Sequence, residues 1–384
     1  MTSPHASDAR RGQPFRFFDN REKYLLFVNT CNEKQVISDR IGLEMAYIRP
    51  SPPALRVFDA GMGDGTVLAS VARFLHHRFP DLPLLLVAKE ASHEDVRLGL
   101  EKMPDRFHEH PRTVLALTNL FYSEAPALWP NSSAMQAQLD WRVAPLDGAS
   151  AYEFEQQMRE MEPDIQEWWQ TKPSPRSGNP VYVRPSVLVI YRRDQEAALG
   201  GVIPEQGDAA REYDLVIAAQ PFRARLDAAT KARTVLVPLA ASLAPDGLAV
   251  VIQSTGKDPG MEVIRDVWPG ENPFHTPRQE LLRELKIQLG DSRPDLRFLS
   301  YMDSRAEFRF SLRLRAGEVN SVIGTSTTLA AWNAATYVAQ IEDQRLSQAM
   351  THSAYLDVTQ AVLKKYGGLW FTDESFLITR VSNP

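Results

Sequence analysis

A strand-like run that enters a glycine-rich turn and continues into a helical pattern is the feature of this sequence that most constrains its fold. Residues 55–58 have the apolar character of a buried parallel strand, and Gly61, Gly63 and Gly65 follow them. From Val67 onward apolar residues recur at helical spacing. Glycines leave the backbone of such a turn bare at a helix N-terminus, where a ligand can approach. The pattern therefore predicts a ligand site at this turn.

The charge of the turn narrows the choice of ligand. Asp59 closes the strand and Asp64 lies among the glycines. In a partly dry site these carboxylates would repel the pyrophosphate of a dinucleotide, whereas they would attract the cationic sulfonium and amino group of S-adenosylmethionine. The spacing GxGxG also differs from the GxGxxG of dinucleotide sites. The turn therefore favours S-adenosylmethionine, and the alternative is an ordinary strand-to-helix turn with incidental glycines.

Composition sets outer bounds on the class of protein. With 384 residues, of which 43% are hydrophobic and 24% charged, the chain is long enough for one elaborated domain or two. A formal net charge of -5 provides no general attraction to phosphate backbones, so nucleic acid is an unlikely partner on these grounds. The single Cys31 excludes an internal disulfide and fits a cytoplasmic location. No apolar run is long enough for a membrane span.

Strand and helix patterns alternate along most of the chain. Such alternation implies a parallel sheet with right-handed crossovers. The sequence therefore predicts an α/β fold with a doubly wound, mostly parallel seven-stranded-type sheet and helices on both faces. The predicted strands are residues 55–60, 84–89, 113–117, 214–218 and 248–253, and the helices between them are residues 66–79, 93–103 and 227–243.

Three regions are predicted along the chain. Residues 1–50 form a disordered start and an N-terminal helical cap, and residues 51–314 form the Rossmann-like core. Residues 315–384 form C-terminal helices and a closing strand. Within the core, the connection at about 120–212 is too long for a simple crossover and is predicted to be an insertion. Four of the seven tryptophans lie in it, which suits either a substrate pocket or a satellite core.

The order of elements, the glycine loop and an acidic residue at the end of the second strand together resemble class I (Rossmann-like) S-adenosylmethionine-dependent methyltransferases. The resemblance covers roughly residues 55–253. It implies that S-adenosylmethionine is the cofactor and that Glu90 binds the ribose hydroxyls. It also implies that the loop contacts the methionine moiety through Asp59, Gly61, Gly63 and Gly65, with Asp64 contributing negative charge.

The residue that contacts the adenine is open between two positions. In the family this contact comes from the end of the third strand, which points to Asn119. Asp147 is the alternative, because it also follows a strand-like run and precedes a helical pattern.

Substrate contacts are expected after the fourth core strand and in the insertion. Family members that methylate nucleobase amines carry Asp/Asn-Pro-Pro-Tyr/Phe after this strand, whereas this chain has Gln220-Pro221-Phe222. The difference weakens a base-methylating interpretation but leaves Gln220 and Phe222 in place to face a substrate, unless the segment merely ends the strand. Trp168 and Trp169 are further candidates.

Methyl transfer requires alignment of donor and nucleophile, and a base only where the nucleophile must lose a proton. Tyr122 and Glu124 after the third strand and His275 after the fifth are candidate bases, although a surface position is the alternative for His275. Two histidine pairs, at 76–77 and at 108 and 110, are predicted to be surface positions without a third metal ligand, so no metal site is predicted. Tyr24 and Phe27 suit either a lid or ordinary packing.

The leading hypothesis is a methyltransferase acting on nitrogen or oxygen of a small or medium-sized metabolite. Three alternatives remain: methylation of protein or RNA, a non-catalytic binding module with the same fold, and a nicotinamide oxidoreductase. Methylation of RNA would use a local basic surface formed by Arg176, Arg184, Arg192 and Arg193. The oligomeric state is open, and a homodimer is compatible with the sequence.

Overall fold

Two helices precede the first strand of the sheet. The computed structural model describes residues 21–174, 180–209, 211–313 and 324–382, so most of the predicted disordered start lies outside the described residues. Helices α1 (Arg21–Thr30) and α2 (Glu33–Glu44) lie in the region for which an N-terminal helical cap is predicted, and a 3-10 turn, Met45–Tyr47, follows them. The apolar residues of α2 pack against the helix that follows the glycine-rich turn.

The first half of the core alternates as predicted. The strands are within one residue of the predicted bounds, and they pair in parallel. The predicted helix 93–103 ends early, at Leu100, and a separate helix begins at Pro104, a residue that is well suited to start a helix. The elements are β1 (Leu55–Asp59), α3 (Thr66–Arg78), β2 (Leu84–Lys89), α4 (His93–Leu100), α5 (Pro104–Glu109) and β3 (Thr113–Thr118).

The insertion extends the main sheet. Its elements are α6 (Ser133–Gln136), β4 (Asp140–Leu146), α7 (Ala151–Glu160), α8 (Glu162–Trp168), β5 (Thr171–Pro173), β6 (Pro180–Tyr182) and β7 (Ser186–Arg192). Strand β7 runs antiparallel to β3, and β4 runs parallel to β7. Both strands therefore run opposite to the core strands, and their carboxyl ends lie at the other edge of the sheet.

The second half of the core contains the fourth and fifth core strands. A π-helical turn, Ala232–Leu236, joins α9 and α10 into one longer helix close to the predicted range 227–243. The elements are β8 (Tyr213–Ala219), α9 (Ala228–Lys231), α10 (Val237–Ala241), β9 (Leu243–Ser254), α11 (Pro259–Val267), α12 (Arg278–Leu289), β10 (Leu296–Leu299), α13 (Asp303–Ala306) and β11 (Glu307–Ser311).

The C-terminal segment contributes three helices and a long strand. These are α14 (Gly324–Val338), α15 (Asp343–Ala349), α16 (Ala354–Tyr366) and β12 (Trp370–Arg380). Strand β12 lies inside the sheet, where it pairs antiparallel with β9, β10 and β11. The last strand of the chain therefore belongs to the core.

The sheet has the order β10-β12-β9-β8-β1-β2-β3-β7-β4, with β11 paired to β12. The predicted doubly wound, mostly parallel sheet with helices on both faces is therefore confirmed. Alternate residues of the strands enter two apolar cores: Phe58, Val87 and Val216 face one, and Val57 and Leu86 face the other. Within the described part of the chain, no helix is both long and apolar enough to cross a bilayer.

Candidate functional site

The glycine-rich turn lies at the edge of the sheet where β1, β2, β3, β8 and β9 end, here called the carboxyl edge. Gly63 and Gly65 have φ values of 54° and 77°, a left-handed conformation that disfavours other residues. A Cβ on Gly65 would lie 2.6 Å from the Cα of Gly99, so the turn packs tightly against α4. A Cβ on Gly61 would meet nothing within 4 Å. The bare backbone at Gly61 thus has free space beside it.

Asp59 closes β1 beneath this turn. Its side chain is buried, and Oδ1 accepts a hydrogen bond from the backbone N–H of Gly61 at 3.1 Å. Within the described residues, Oδ2 of Asp59 accepts no hydrogen bond. Burial raises the pKa of this carboxyl to about 6, against the opposing effects of the Gly61 N–H and Lys34. A buried carboxylate with an unused oxygen is stabilised by a cation or a proton donor placed against it.

Glu90, directly after β2, faces the same turn. Its Oε2 accepts from the N–H of Gly63 at 2.9 Å, and its Oε1 accepts from the N–H groups of Ala91 and Ser92 at 2.7 and 2.9 Å. Burial and the neighbouring Asp95 raise its pKa to about 7. A carboxylate has about four acceptor positions, and three are taken. Glu90 therefore has room for one hydroxyl of a ligand, not for the two that a free carboxylate would accept.

Asp64 is turned toward the start of α3. Its Oδ2 accepts from the hydroxyl of Thr66 at 2.6 Å and forms an ion pair with Lys102 at 3.5 Å. Burial raises its pKa, but Lys34, Thr66 and Lys102 lower it more strongly, so the net shift is downward. Asp64 is thus an ionised carboxylate that stabilises the start of α3, and it adds negative charge to the turn without facing it directly.

The hydroxyl of Tyr24 on α1 is a contact that sequence reasoning did not identify. It accepts a hydrogen bond from the backbone N–H of Asp64 at 3.0 Å. The ring of Tyr24 packs 5.9 Å from the ring of Tyr337 on α14, and Phe27 stacks on Tyr337 at 4.8 Å. Helical spacing indicates that Tyr24 packs inward, but the local sequence gives no indication of its hydrogen bond to the glycine turn. Tyr24 both packs against α14 and lies over the turn.

The side chains of the two residues predicted to contact adenine, Asp147 and Asn119, are bonded to other parts of the protein. Asp147 follows β4, whose carboxyl end lies at the opposite edge of the sheet, and it forms an ion pair with Arg193 at 2.7 Å. The expectation for Asp147 is therefore wrong. Asn119 does lie at the carboxyl edge, but its amide binds the backbone: Oδ1 accepts from the N–H of Ser186 at 2.9 Å and Nδ2 donates to the carbonyl of Arg184 at 3.0 Å. It anchors the insertion.

Glu124, one of the candidate bases, is a structural group. It is buried, and its two oxygens accept from the N–H groups of Phe121 and Asn131 and from the hydroxyl of Tyr182. Each of these bonds stabilises the loop after β3, so this carboxylate does not face a ligand.

The hydroxyl of Tyr122 donates a hydrogen bond to the carbonyl of Pro221 at 2.8 Å, and the ammonium of Lys89 lies 4.9 Å from its ring. Burial raises the pKa of the phenol well above its usual value, which disfavours its use as a base. Tyr122 instead joins the loop after β3 to the loop after β8.

The two substrate candidates after β8, Gln220 and Phe222, lie in different environments. Phe222 is buried in the core with Lys231 over its ring at 4.9 Å, so it does not face a substrate. Gln220 is half-buried at the carboxyl edge with a φ of 51°. Its Nε2 donates to the hydroxyl of Ser254 at 3.0 Å, and its Oε1 accepts from the N–H of Ser254 at 3.2 Å. A non-glycine residue in this conformation is held there by its surroundings.

The remaining candidates lie around these residues. Trp169 is buried and donates its indole N–H to the carbonyl of Glu90 at 2.8 Å, so it supports the end of β2 from behind. Trp168 is half-buried, and the guanidinium of Arg142 lies 4.8 Å from the centre of its ring. His275 is exposed in the loop between α11 and α12. Of the three, Trp168 and His275 keep accessible surface.

The histidines predicted to lie on the surface include one that is buried. His110 is 4% exposed, packs edge-on against His76 at 4.9 Å and shares a hydrogen bond with Thr113 at 3.0 Å. Its loop folds back against the start of β3, which removes it from water. No group of three or more His, Cys, Asp or Glu side chains in the described ranges is arranged to hold a metal ion.

Comparisons with known proteins found similarities among solved structures alone. No protein-family model matches this chain, and no curated protein sequence matches it. Among solved structures, it is similar to geranyl diphosphate methyltransferase in complex with GPP and sinefungin, with 12% identity, a TM-score of 0.32, and coverage of 91% of this chain and 78% of that one.

Two further structures are similar to it. The [4+2]-cyclase SpnF has 12% identity and a TM-score of 0.35, and the match covers 90% of this chain and 82% of that one. Phosphoethanolamine N-methyltransferase 2 of Haemonchus contortus, in complex with S-adenosyl-L-methionine, has 7% identity and a TM-score of 0.28, and the match covers 90% of this chain and 52% of that one. The fold itself is a doubly wound, mostly parallel sheet in which the last strand, β12, runs antiparallel beside β9.

Proposed function

We propose that this protein is an S-adenosylmethionine-dependent methyltransferase. The observation that supports this most is the pair of buried carboxylates, Asp59 and Glu90, on either side of a bare glycine turn. Burial raises the pKa of both groups because it destabilises their charged forms. A cationic ligand would stabilise those charged forms, so its binding is favourable here. A phosphate-bearing dinucleotide would meet repulsion at the same place.

The residues of the chain fit the parts of this cofactor in turn. The amino group would lie against the unused Oδ2 of Asp59, and one ribose hydroxyl would donate to the remaining position on Glu90. The open space at Gly61 would admit the methionine moiety. When bound, the group supplies a methyl on a positively charged sulfur. The task of the chain is to hold and align the reactants and to exclude water.

A small or medium-sized metabolite is the proposed acceptor. The arginines suggested for an RNA-binding surface do not form a free basic patch where they are described. Arg184, Arg192 and Arg193 each form an ion pair with an aspartate, at 3.6, 2.6 and 2.7 Å, and Arg176 lies outside the described residues. Neutralised side chains provide little of the counterion release on which nucleic-acid binding depends. This favours a metabolite over RNA.

Binding of the cofactor is tested by thermal denaturation with S-adenosylmethionine and S-adenosylhomocysteine. A ligand that binds only the folded state raises the melting temperature. We expect both compounds to do so for the native chain, and Asp59→Asn to reduce the shift. The matched control is Asp214→Asn, because Asp214 is also buried but accepts from the N–H groups of Arg56 and Ser51 away from the turn. Stabilisation by NADH instead would refute the proposal.

Catalysis is tested separately with a methyl-labelled donor and a small-molecule extract, followed by identification of the labelled product. Label in a metabolite fraction supports the proposal. Label in protein or RNA instead would show that the acceptor is a protein or an RNA and not a metabolite. Binding of the donor without transfer to any fraction would indicate a binding module that retains the fold.

A further inference from the structure

A row of polar side chains crosses the carboxyl edge beyond the glycine turn. Gln220 follows β8, Ser254 ends β9, and Asp373 lies on β12 directly opposite Ser254 in the strand register. Adjacent strands are about 4.8 Å apart, so the row extends from β1 by roughly 14 Å at β12. It begins beside the turn at Asp59 and ends at Asp373.

Asp373 is the most unusual member of this row. It is fully buried, and one oxygen, Oδ1, accepts from the hydroxyl of Ser254 at 2.8 Å. Within the described ranges, its Oδ2 accepts no hydrogen bond. A buried acceptor without a partner is costly and uncommon in folded proteins. The free oxygen therefore indicates a position where a hydrogen-bond donor outside the chain fits.

The charges around Asp373 are mostly negative. Burial raises its pKa well above the usual range, and the nearby carboxylates of Glu33 at the start of α2 and Asp258 before α11 raise it further. Glu33 has a cationic neighbour, Lys34, at 3.2 Å, and Asp258 accepts from the N–H groups of Met261 and Thr372. Among the described residues, Asp373 forms no ion pair. A ligand that approaches Oδ2 therefore meets an acidic environment, which favours a cation over an anion.

Gln220 and Ser254 hold this carboxyl in one orientation. The amide Nε2 and Oε1 of Gln220 are both hydrogen-bonded to Ser254, and the hydroxyl of Ser254 donates a hydrogen bond to Oδ1 of Asp373. The left-handed backbone at Gln220, with a φ of 51°, is retained although it is unfavourable for this residue type. Strained, fully bonded residues of this kind concentrate at ligand sites.

We propose that Asp373, oriented by Ser254 and Gln220, binds the nitrogen of an amine, and that the acceptor of this protein is therefore a primary or secondary amine. The inference rests on the proposed function and specifies its substrate class. The ammonium N–H donates to Oδ2 of the ionised Asp373 carboxylate and then transfers its proton to that oxygen: an N–H bond breaks, an O–H bond forms, and the nitrogen lone pair becomes free. An alcohol of the same shape lacks the positive charge that this environment favours.

The experiment uses the full chain with saturating S-adenosylhomocysteine and a panel of primary and secondary amines. Each amine is paired with the alcohol of the same carbon skeleton, and the readout is the melting temperature. We expect at least one amine to raise it by about 2 °C or more beyond the shift from S-adenosylhomocysteine, and its paired alcohol to raise it less. Equal stabilisation by amines and alcohols, or stabilisation by no amine, would overturn the inference.

Variants distinguish binding at Asp373 from binding elsewhere. Asp373→Asn keeps the shape of the side chain and should abolish the amine-specific shift, while the shift from S-adenosylhomocysteine persists. Ser254→Ala removes the donor to Oδ1 and should weaken the amine-specific shift, which provides a second test if Asp373→Asn does not fold. Asp214→Asn is the matched control and should retain both shifts. An amine shift that survives in both Asp373→Asn and Ser254→Ala contradicts the proposal.

The two proposals can fail separately. Loss of the S-adenosylhomocysteine shift in the native chain contradicts the cofactor assignment. If that shift is present and the amines behave as their alcohols, the cofactor assignment stands and only the amine assignment fails.

Discussion

The Oε2 atom of Glu90 accepts a hydrogen bond from the backbone N–H of Gly63 at 2.9 Å, and this bond joins the end of β2 to the glycine turn after β1. Glu90→Gln should weaken donor affinity about tenfold, because an amide removes the charge and can place a donor against the Gly63 N–H. Calorimetric titration with S-adenosylhomocysteine measures the change. Glu94→Gln is the control, since Glu94 forms an ion pair with Arg97 on the outer side of α4. Unchanged affinity in Glu90→Gln would remove Glu90 from the donor site.

Two glycines of the turn should respond differently to alanine. Gly61→Ala has free space for its Cβ, so the protein should fold with nearly unchanged stability but bind the donor more weakly. Gly65→Ala should lower the free energy of unfolding by about 1 to 3 kcal/mol, because φ is 77° and the new Cβ would lie 2.6 Å from the Cα of Gly99. Urea denaturation measures stability and titration measures binding. Equal loss of stability in both variants would contradict this division.

Donor affinity should rise with pH. The pKa values of Asp59 and Glu90 in the folded protein are raised to about 6 and about 7. The folded state therefore binds more protons than the unfolded chain above pH 4, and the contribution of these groups to stability is lost as the pH rises through the two values. A cationic ligand favours the ionised forms, so affinity should increase between about pH 5 and pH 8. Glu90→Gln should flatten the upper part of this profile, and a profile unchanged by the substitution would refute the assignment.

His110 should limit stability in acid. Burial, with His76 and Arg112 nearby, lowers its pKa to about 4, whereas an unfolded chain takes up this proton at about pH 6.5. Stability should therefore fall as the pH decreases from about 6.5 to 4, by up to about 3 kcal/mol. His110→Gln should flatten this part of the curve in thermal denaturation. The exposed His77 provides the control, His77→Gln, which should leave the curve unchanged.

Asp147 should be dispensable for the donor. Its carboxylate pairs with Arg193 at an exposed position on the edge opposite the glycine turn. Asp147→Asn should leave the affinity for S-adenosylhomocysteine unchanged, and exposed ion pairs of this kind contribute at most about 1 kcal/mol to stability. A tenfold loss of affinity would contradict the strand direction described for the insertion.

Local patterns were sufficient to predict the core strands and the proximity of Glu90 to the glycine turn. Apolar runs mark buried parallel strands, and the carboxyl ends of neighbouring parallel strands share one edge, so Asp59 and Glu90 could be placed together in advance. The same reasoning failed for Asp147, because the direction of β4 depends on its pairing with β7. A strand has the same local pattern whichever way it runs.

Contacts between residues that are distant in the sequence could not be predicted, because local patterns do not determine strand register or loop direction. Helical spacing predicted burial of Tyr24 but not the hydrogen bond from its hydroxyl to Asp64. Asp373 lies within an apolar closing strand, and its neighbour Ser254 is set by the register between β12 and β9. Likewise, Phe222 follows a core strand but is turned into the core rather than toward the edge. Register and loop direction depend on tertiary packing.

The contact between Tyr24 and Tyr337 has a consequence for the order of events during synthesis. Tyr24 contacts the glycine turn from α1, yet its ring packs against Tyr337 of α14, more than 300 residues later in the chain. A ribosome that has made the turn and Glu90 has not yet made the residue that holds Tyr24 in place. The complete pocket therefore forms only after α14 has been synthesised, and a growing chain lacks its full affinity for the cofactor until then.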